Sequence, residues 1–332
     1  MRIGIVTPAF NVGPYIGETI RSVLDQTHRD WTMVAVDDGS TDDTAAVVGA
    51  FRDPRLRLIS QVNAGVSAAR NRGAVALDCD AMLFLDGDDC LAPFALEALA
   101  HALADAPCAV AAVGPYERGG RVYAPASGDI LERLLVRNLF VNGGHVLIQR
   151  GAVQPFREDL RYGEDWEFWV RLALSPTSWP AKARHPRLCS ATTPKDVDGG
   201  LSPAMTLGRI TPTPAPRPIL HVRERPSGAY LRMATDPASF TACLDAIHGH
   251  PALAALFSPE KRAALRRQAD AEVQWTIGRE LIRHRRHRDG LIWLGRSIAA
   301  DPTVRRAALM AAIAVLPPYW RGPLYPYDQI ER

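Results

Sequence analysis

The strongest constraint on this chain is an alternation that runs through about its first ninety residues. Short apolar runs, each stopped by Pro, Gly or Asp, are separated by segments of helical period. Ile3 to Thr7 stops at Pro8, Trp31 to Val36 at Asp37-Asp38-Gly39, and Ala81 to Phe84 at Leu85-Asp86-Gly87-Asp88-Asp89. A further strand is expected over Leu56 to Ser60. Between these runs lies a helix opening near Pro14, with Ile16, Ile20, Val23 and Leu24 on one face. A second helix is capped by Ser40 or Thr41 and closed by Asp53-Pro54, and a small-residue helix covers Val66 to Leu77. Strand and helix in strict alternation predict a parallel α/β sheet. Right-handed crossovers align the C-terminal ends of such strands along one edge, where ligands bind. Residues 8–11, 37–40, 61–63 and 86–89 are therefore expected to line one cleft.

The last of these stretches carries the most chemistry. An apolar run that ends abruptly in Asp86, Asp88 and Asp89 reads as a buried strand delivering carboxylates to the sheet edge. Carboxylates packed this tightly repel one another, and a cation relieves the repulsion. Oxygen-only ligands suit Mg²⁺ or Mn²⁺, which also bind phosphate oxygens. A solvated acidic turn that caps the next helix is the alternative. The chain contains neither G-x-G-x-x-G after the first strand nor G-x-x-x-x-G-K-[ST], so a phosphate ligand would not sit on a Gly-rich loop.

A net charge of +3 without interleaved aromatic and basic residues gives no case for nucleic acid. The five cysteines are scattered and contain no C-x-x-C pair, which fits neither a disulfide framework nor a zinc site and suggests a reducing compartment. Met1 to Val6 runs straight into a strand pattern rather than a signal peptide. The apolar run Ala307 to Leu316 falls short of the ~20 residues of a membrane span. The expectation is a cytoplasmic protein, with peripheral attachment to the inner face of a membrane as the alternative.

Five blocks in order, V-T-P-A-F-N (6–11), S-V-L-D-Q-T (22–27), V-D-D-G-S-T-D-D-T (36–44), N-A-G-V-S-A-A-R-N-R-G (63–73) and F-L-D-G-D-D (84–89), resemble the family 2 glycosyltransferases. The resemblance covers roughly residues 1–175. It implies a GT-A fold, a Rossmann-like and mostly parallel sheet flanked by helices, and metal-dependent transfer of sugar with inversion. Pro8, Phe10 and Asp38 would surround the nucleotide base, with Arg70 beside the base and the diphosphate. Asp88 would hold the metal against the diphosphate, and Asp86 would touch the ribose or the metal. By residue chemistry alone, Asp37, Asp42 and Asp43 are helix-capping and solvated, Asn63 and Asn71 are turn-forming or substrate-binding, and Asp89 has no assigned role.

A second acidic pair, Glu164-Asp165, follows Gly163 at the start of a helical pattern and so lies at the positive pole of that helix. Trp166, Trp169 and Val170 fall on one face of it and read as core. In the resembled family the Asp of this pair is the general base, which assigns that role to Asp165 and leaves Glu164 to orient the acceptor or a neighbouring loop. Residues 175–217 form a Pro-rich insertion without period, either a lid over the site or a disordered insert. His221 and Arg223 follow it, within reach of the diphosphate or on a simple edge strand.

Three regions are expected: a nucleotide-sugar half (1–110), an acceptor half (111–230) and a helical C-terminal extension (231–332). The extension contains a long basic helix from Ser258-Pro259 through Arg285, and Arg283 to Arg288 form a solvated face or a contact with anionic lipid. The function expected is transfer from a nucleoside-diphosphate sugar to a hydroxyl of a saccharide or lipid-linked acceptor, in cell-surface polysaccharide or glycolipid synthesis. The rivals are a sugar-nucleotide nucleotidyltransferase, which would want a Gly-rich basic loop that Thr7 to Tyr15 lacks, and a non-catalytic scaffold.

Overall fold

The computed structural model describes residues 1–106, 108–126, 130–175, 209–215, 217–223, 238–303, 306–308 and 310–311. The chain divides into two compact units. The first comprises Met1–Ile130, Phe140–Glu158 and Arg171–Arg223, and the second Leu131–Leu139, Asp159–Val170 and Glu224–Arg332.

The first unit opens with β1 (Ile3–Ala9), α1 (Gly13–Leu24), β2 (Trp31–Asp37), α2 (Thr44–Gly49), β3 (Leu56–Ser60), α3 (Val66–Val75) and β4 (Ala81–Phe84). It continues through β5 (Cys90–Leu91), α4 (Ala95–Asp105), β6 (Ala109–Val113), β7 (Tyr116–Arg118) and β8 (Arg121–Tyr123). Three strands complete it: β9 (Val146–Gln149), β10 (Arg209–Pro212) and β11 (Leu220–Val222). Seven strands form one sheet in the order β10-β6-β9-β4-β1-β2-β3. β1 pairs parallel with both β2 and β4, and β2 pairs parallel with β3. This is the crossover pattern expected of the alternation. Every residue of β1 and β4 is buried, because helices cover both faces of a parallel sheet and leave no polar side. On α1, Pro14 sits in the first turn and Ile16, Ile20 and Val23 turn into the core, as expected.

β9 breaks the parallel order. It runs antiparallel to both β4 and β6. Its start therefore lies at the sheet edge where β4 ends, and the segment that precedes it, Asn142-Gly143-Gly144-His145, crosses the end of β4. A Cβ on Gly143 would stand 2.6 Å from the Phe84 carbonyl oxygen, so only glycine allows the crossing. The four short strands form a second sheet, β5-β11-β7-β8.

β10 is a strand inside the stretch read as aperiodic, pairing parallel with β6. The rest of the insertion, residues 176–208, lies outside the described residues, as does most of the Ala307–Leu316 run. β11 is an interior strand between β5 and β7, not an edge strand. Among the described residues Cys79, Cys90 and Cys243 are free thiols and Cys108 is disulfide-bonded.

The second unit is helical: α5 (Leu131–Val136), the first part of α6 (Glu164–Leu174), α7 (Ala238–His248), α8 (Leu253–Leu256), α9 (Pro259–Arg283) and α10 (His287–Ala300). The Ser258 hydroxyl caps α9 by accepting from the Lys261 N–H at 3.3 Å, with Pro259 in the first turn. α9 and α10 form a hairpin around Trp275, Ile282 and Leu294. Its helices approach closely at Gly278, where a Cβ would stand 2.9 Å from the Gly290 carbonyl oxygen. Buried Ser297 donates across the hairpin to the Ala271 carbonyl at 2.7 Å. The basic run 283–288 spans the turn of this hairpin and is mostly exposed, and Arg283 and Arg286 pair with Glu280 and Asp289. No helix among the described residues is long and apolar enough to cross a membrane.

Candidate active site

The strand ends of the first unit converge as the alternation predicts. The parallel register sets Pro8 opposite Val36 and Ala9 opposite Asp37, and the Asp38 N–H donates to the Ala9 carbonyl at 2.8 Å. Leu85 N–H donates to the Val6 carbonyl at 2.9 Å, so the acidic turn leaves β4 alongside β1. A Cβ on Gly87 would stand 3.2 Å from the Pro8 carbonyl oxygen, which places that turn against the end of β1. Pro8 is buried, whereas Phe10 is 48% exposed beside it. An exposed aromatic ring at such an edge offers a flat apolar face to a ligand.

Asp38 is buried and already does structural duty. One carboxylate oxygen accepts from Gln61 Nε2 at 2.7 Å and from the Ala64 N–H at 2.8 Å, and the other accepts from the Gly65 N–H at 2.9 Å. A carboxylate has about four lone-pair positions. Asp38 thus moulds the 63–65 loop and keeps capacity for one more donor.

Asp37 is buried rather than solvated, accepting from the Ser40 N–H at 3.1 Å. Neither Ser40 nor Thr41 caps α2. The Ser40 hydroxyl accepts from the Asn11 N–H at 3.0 Å, and the Thr41 N–H donates to the Asn11 side chain at 2.9 Å. Asp42 bridges α1 and α2 instead, accepting from the Gly13 N–H at 3.0 Å and from the Thr44 hydroxyl at 2.5 Å. Burial alone would raise the Asp42 carboxyl, but these donors together hold it below the usual carboxylate range. Asn71 is structural: its side chain bonds the Phe156 carbonyl at 2.9 Å and the Phe156 N–H at 2.7 Å.

Arg70 and Asp86 come together. The guanidinium, almost fully buried, lies 3.1 Å from Asp86 Oδ1 and 5.1 Å over the Phe156 ring. A cation is thereby fixed beside the carboxylates at the end of β4. Asp86 and Asp88 are both half-buried, while Asp89 is buried. Asp89 faces inward, accepting from Asn142 Nδ2 and, at 2.9 Å, from the Arg223 N–H. Burial, with Asp86 and Asp88 beside it, pushes the Asp89 carboxyl up to about 8. Arg223 closes the turn from outside: its Nε donates to the Asp88 carbonyl at 3.1 Å, and it pairs with Glu18 and lies 4.9 Å over the Tyr15 ring. Among the described residues no three His, Cys, Asp or Glu side chains are grouped to hold a metal ion by themselves. Two hard carboxylates, half-buried at the end of β4, nevertheless fit Mg²⁺ or Mn²⁺, which bind through one or two carboxylates and complete their shell with water and phosphate oxygens.

Residues 4–159 match the model described as glycosyl transferase family 2. They form a glycosyltransferase family 2 domain. An uncharacterized glycosyltransferase of Bacillus subtilis (strain 168), EpsJ, is 33% identical over 127 residues, 37% of this chain and 37% of the relative. The chain spans 36–54% of the length of the first three curated relatives it matches. In three dimensions the chain is similar to Staphylococcus aureus TarS residues 1–349, with a TM-score of 0.59, 16% identity, and coverage of 100% of this chain and 93% of that one. It is also similar to the mannosyltransferase PcManGT of Pyrobaculum calidifontis, with a TM-score of 0.55, 18% identity, and coverage of 97% and 84%. The fold is GT-A, as the family 2 domain implied.

The acidic pair of the second unit opens α6. Asp165 Oδ2 accepts from Asn138 Nδ2 at 3.1 Å and Oδ1 from the Trp166 N–H at 2.7 Å, so the carboxylate is held in one orientation. Trp166, Trp169 and Val170 are core residues, as expected, and the Trp166 indole donates to the Leu134 carbonyl at 2.6 Å. His221 lies 3.1 Å from Glu117 on the second sheet. Sequence reasoning missed Asn142 and the role of Asp89. The one available signal was the Asn-Gly-Gly stretch, since adjacent glycines mark a backbone that must pass close to something.

Proposed function

We propose that the protein is a glycosyltransferase that moves a sugar from a nucleoside-diphosphate donor to an acceptor hydroxyl with inversion. The observation that carries this reading is the convergence of Pro8, Phe10, Asp38, Arg70, Asp86 and Asp88 at one sheet edge of the family 2 domain. The base would lie against Phe10 and Pro8 and use the remaining acceptor of Asp38. Arg70 would offset diphosphate charge. Asp88, with Asp86, would hold a divalent cation, which supplies Lewis-acid stabilisation of the departing diphosphate. In support, PcManGT is described with GDP-Man and Mn²⁺, and TarS with UDP-GlcNAc.

Asp165 is assigned as general base. As the acceptor oxygen forms its bond to the anomeric carbon, the bond to the diphosphate breaks and the hydroxyl proton passes to Asp165. A positioned carboxylate contributes on the order of 10²–10⁴ in rate. Glu164 would orient the acceptor, a saccharide or a lipid-linked sugar of cell-surface polysaccharide synthesis.

The test is release of nucleoside diphosphate from a panel of sugar nucleotides with Mn²⁺, with Asp88→Ala as control. Asp88-dependent release is expected. Pyrophosphate release would indicate a nucleotidyltransferase, and no turnover with any donor–acceptor set would favour a scaffold. Asp165→Asn is expected to lower the single-turnover transfer rate at least a hundredfold while nucleotide binding persists, and a wild-type rate would remove Asp165 as base.

A further inference from the structure

The turn that bears Asp86 and Asp88 is gripped from behind by two residues distant in the chain. Asp89 is 3% exposed and has one carboxylate oxygen on the Arg223 N–H and the other on Asn142 Nδ2. Asn142 is itself buried, and its Oδ1 accepts from the Gly144 N–H at 2.8 Å. Its two side-chain atoms are thus committed in opposite senses, donating to the turn and accepting from the strap that crosses β4. The Arg223 side chain adds a bond to the Asp88 carbonyl, while Glu18 and Tyr15 hold its far end on α1.

We propose that Asn142 and Arg223 are positioning residues for the cation-binding turn, acting through Asp89 and the Asp88 backbone to fix where the Asp88 carboxylate points. The inference rests on the glycosyltransferase reading above and extends it to two residues outside the set assigned there to nucleotide and cation. Asp89 is buried in this grip whereas Asp86 and Asp88 are only half-buried, so Asp89 supports the ligands rather than being one. Partners that orient metal ligands typically account for 10–100-fold in metal affinity.

The chemistry of the pair permits an exchange test. In Asp89→Asn two side-chain amides meet, and one N–H donor, either between them or at Gly144, loses its acceptor. In Asn142→Asp two buried carboxylates meet. In the double variant, Asp89→Asn with Asn142→Asp, the amide and the carboxylate simply trade places. The amide at position 89 then donates to the carboxylate at position 142 and accepts from the Arg223 N–H, while that carboxylate also accepts from the Gly144 N–H.

The experiment measures Mn²⁺ dissociation constants on the full chain by electron paramagnetic resonance, with UDP or GDP present, alongside thermal unfolding. Each single variant is expected to bind Mn²⁺ at least tenfold more weakly, and the double variant to return within about threefold of wild type. Arg223→Gln is expected to weaken binding about tenfold, with a larger change in the KM for Mn²⁺ than in kcat. Should the single substitutions unfold the chain, the double variant and Arg223→Gln still decide. Wild-type affinity in Arg223→Gln or in folded single variants overturns the proposal. A folded double variant that stays weak also overturns it, because a carboxylate is then needed at position 89 itself. If the wild-type chain shows no Mn²⁺ binding that Asp88→Ala removes, it is the glycosyltransferase reading that fails, and the inference falls with it.

Discussion

His145 is the buried titratable group whose behaviour can be worked through most fully. It is 1% exposed, its Nδ1 lies 2.9 Å from the Gly114 carbonyl, and its Nε2 has no hydrogen-bond partner among the described residues. Tyr116 stands edge-on at 5.0 Å and Phe140 lies at 5.9 Å, so the ring is enclosed by aromatic surface. Burial in such surroundings penalises the imidazolium and lowers the pKa to about 4. The unfolded chain, with an imidazole near 6.5, therefore binds more protons than the native state between those values. The native state keeps the full stability contribution of neutral His145 above pH 6.5, and loses it as pH falls through that window towards 4.

The difference amounts to about 3 kcal/mol at pH 4. His145→Gln isolates it, because glutamine does not titrate and its amide retains a donor for the Gly114 carbonyl. Urea unfolding of both proteins, followed by tryptophan fluorescence from pH 8 to 4, gives the wild-type-minus-variant difference directly. That difference should be flat above pH 7 and should move against the wild type by about 3 kcal/mol on reaching pH 4. A difference that stays constant within about 0.5 kcal/mol over the same range, a small fraction of the linkage expected, would show that protonated imidazole is tolerated in the fold.

Two further perturbations probe the first unit. Asp38→Asn puts an amide where three donors converge, so the Ala64 and Gly65 amides should exchange hydrogen at least tenfold faster and the donor KM should rise. Unchanged protection at both amides would mean that Asp38 does not shape the loop. Gly143→Ala forces a Cβ to within 2.6 Å of the Phe84 carbonyl oxygen and should cost about 1–3 kcal/mol in chemical denaturation. A variant as stable as wild type would show that the strap has room to move.

How much was legible in the sequence followed from where each interaction closes. The parallel half was readable because β1, β2 and β4 are buried strands whose apolar runs end at visible breaks, and each lies next to a helix of matching period. β10 was not, since Arg209-Ile210-Thr211-Pro212 has no apolar run and becomes a strand only by lying against β6. The capping error at Ser40 and Thr41 has the same origin. Their partner is Asn11, a residue that local reading cannot bring near. Asp86 and Asp88 could be singled out from spacing, but the distinct role of Asp89 depends on residues 142 and 223, which only the fold supplies.

The antiparallel course of β9 bears on the order in which the site matures. Asp89 meets Asn142 across 53 positions and Arg223 across 134, whereas β1 to β4 need only contiguous chain. Sheet pairing among those first strands closes short loops and can proceed while the ribosome is still extending the chain. The acidic turn would then exist early but without its grip until residue 223 has emerged, so a nascent or truncated chain that ends before that point would carry the carboxylates and still handle Mn²⁺ poorly.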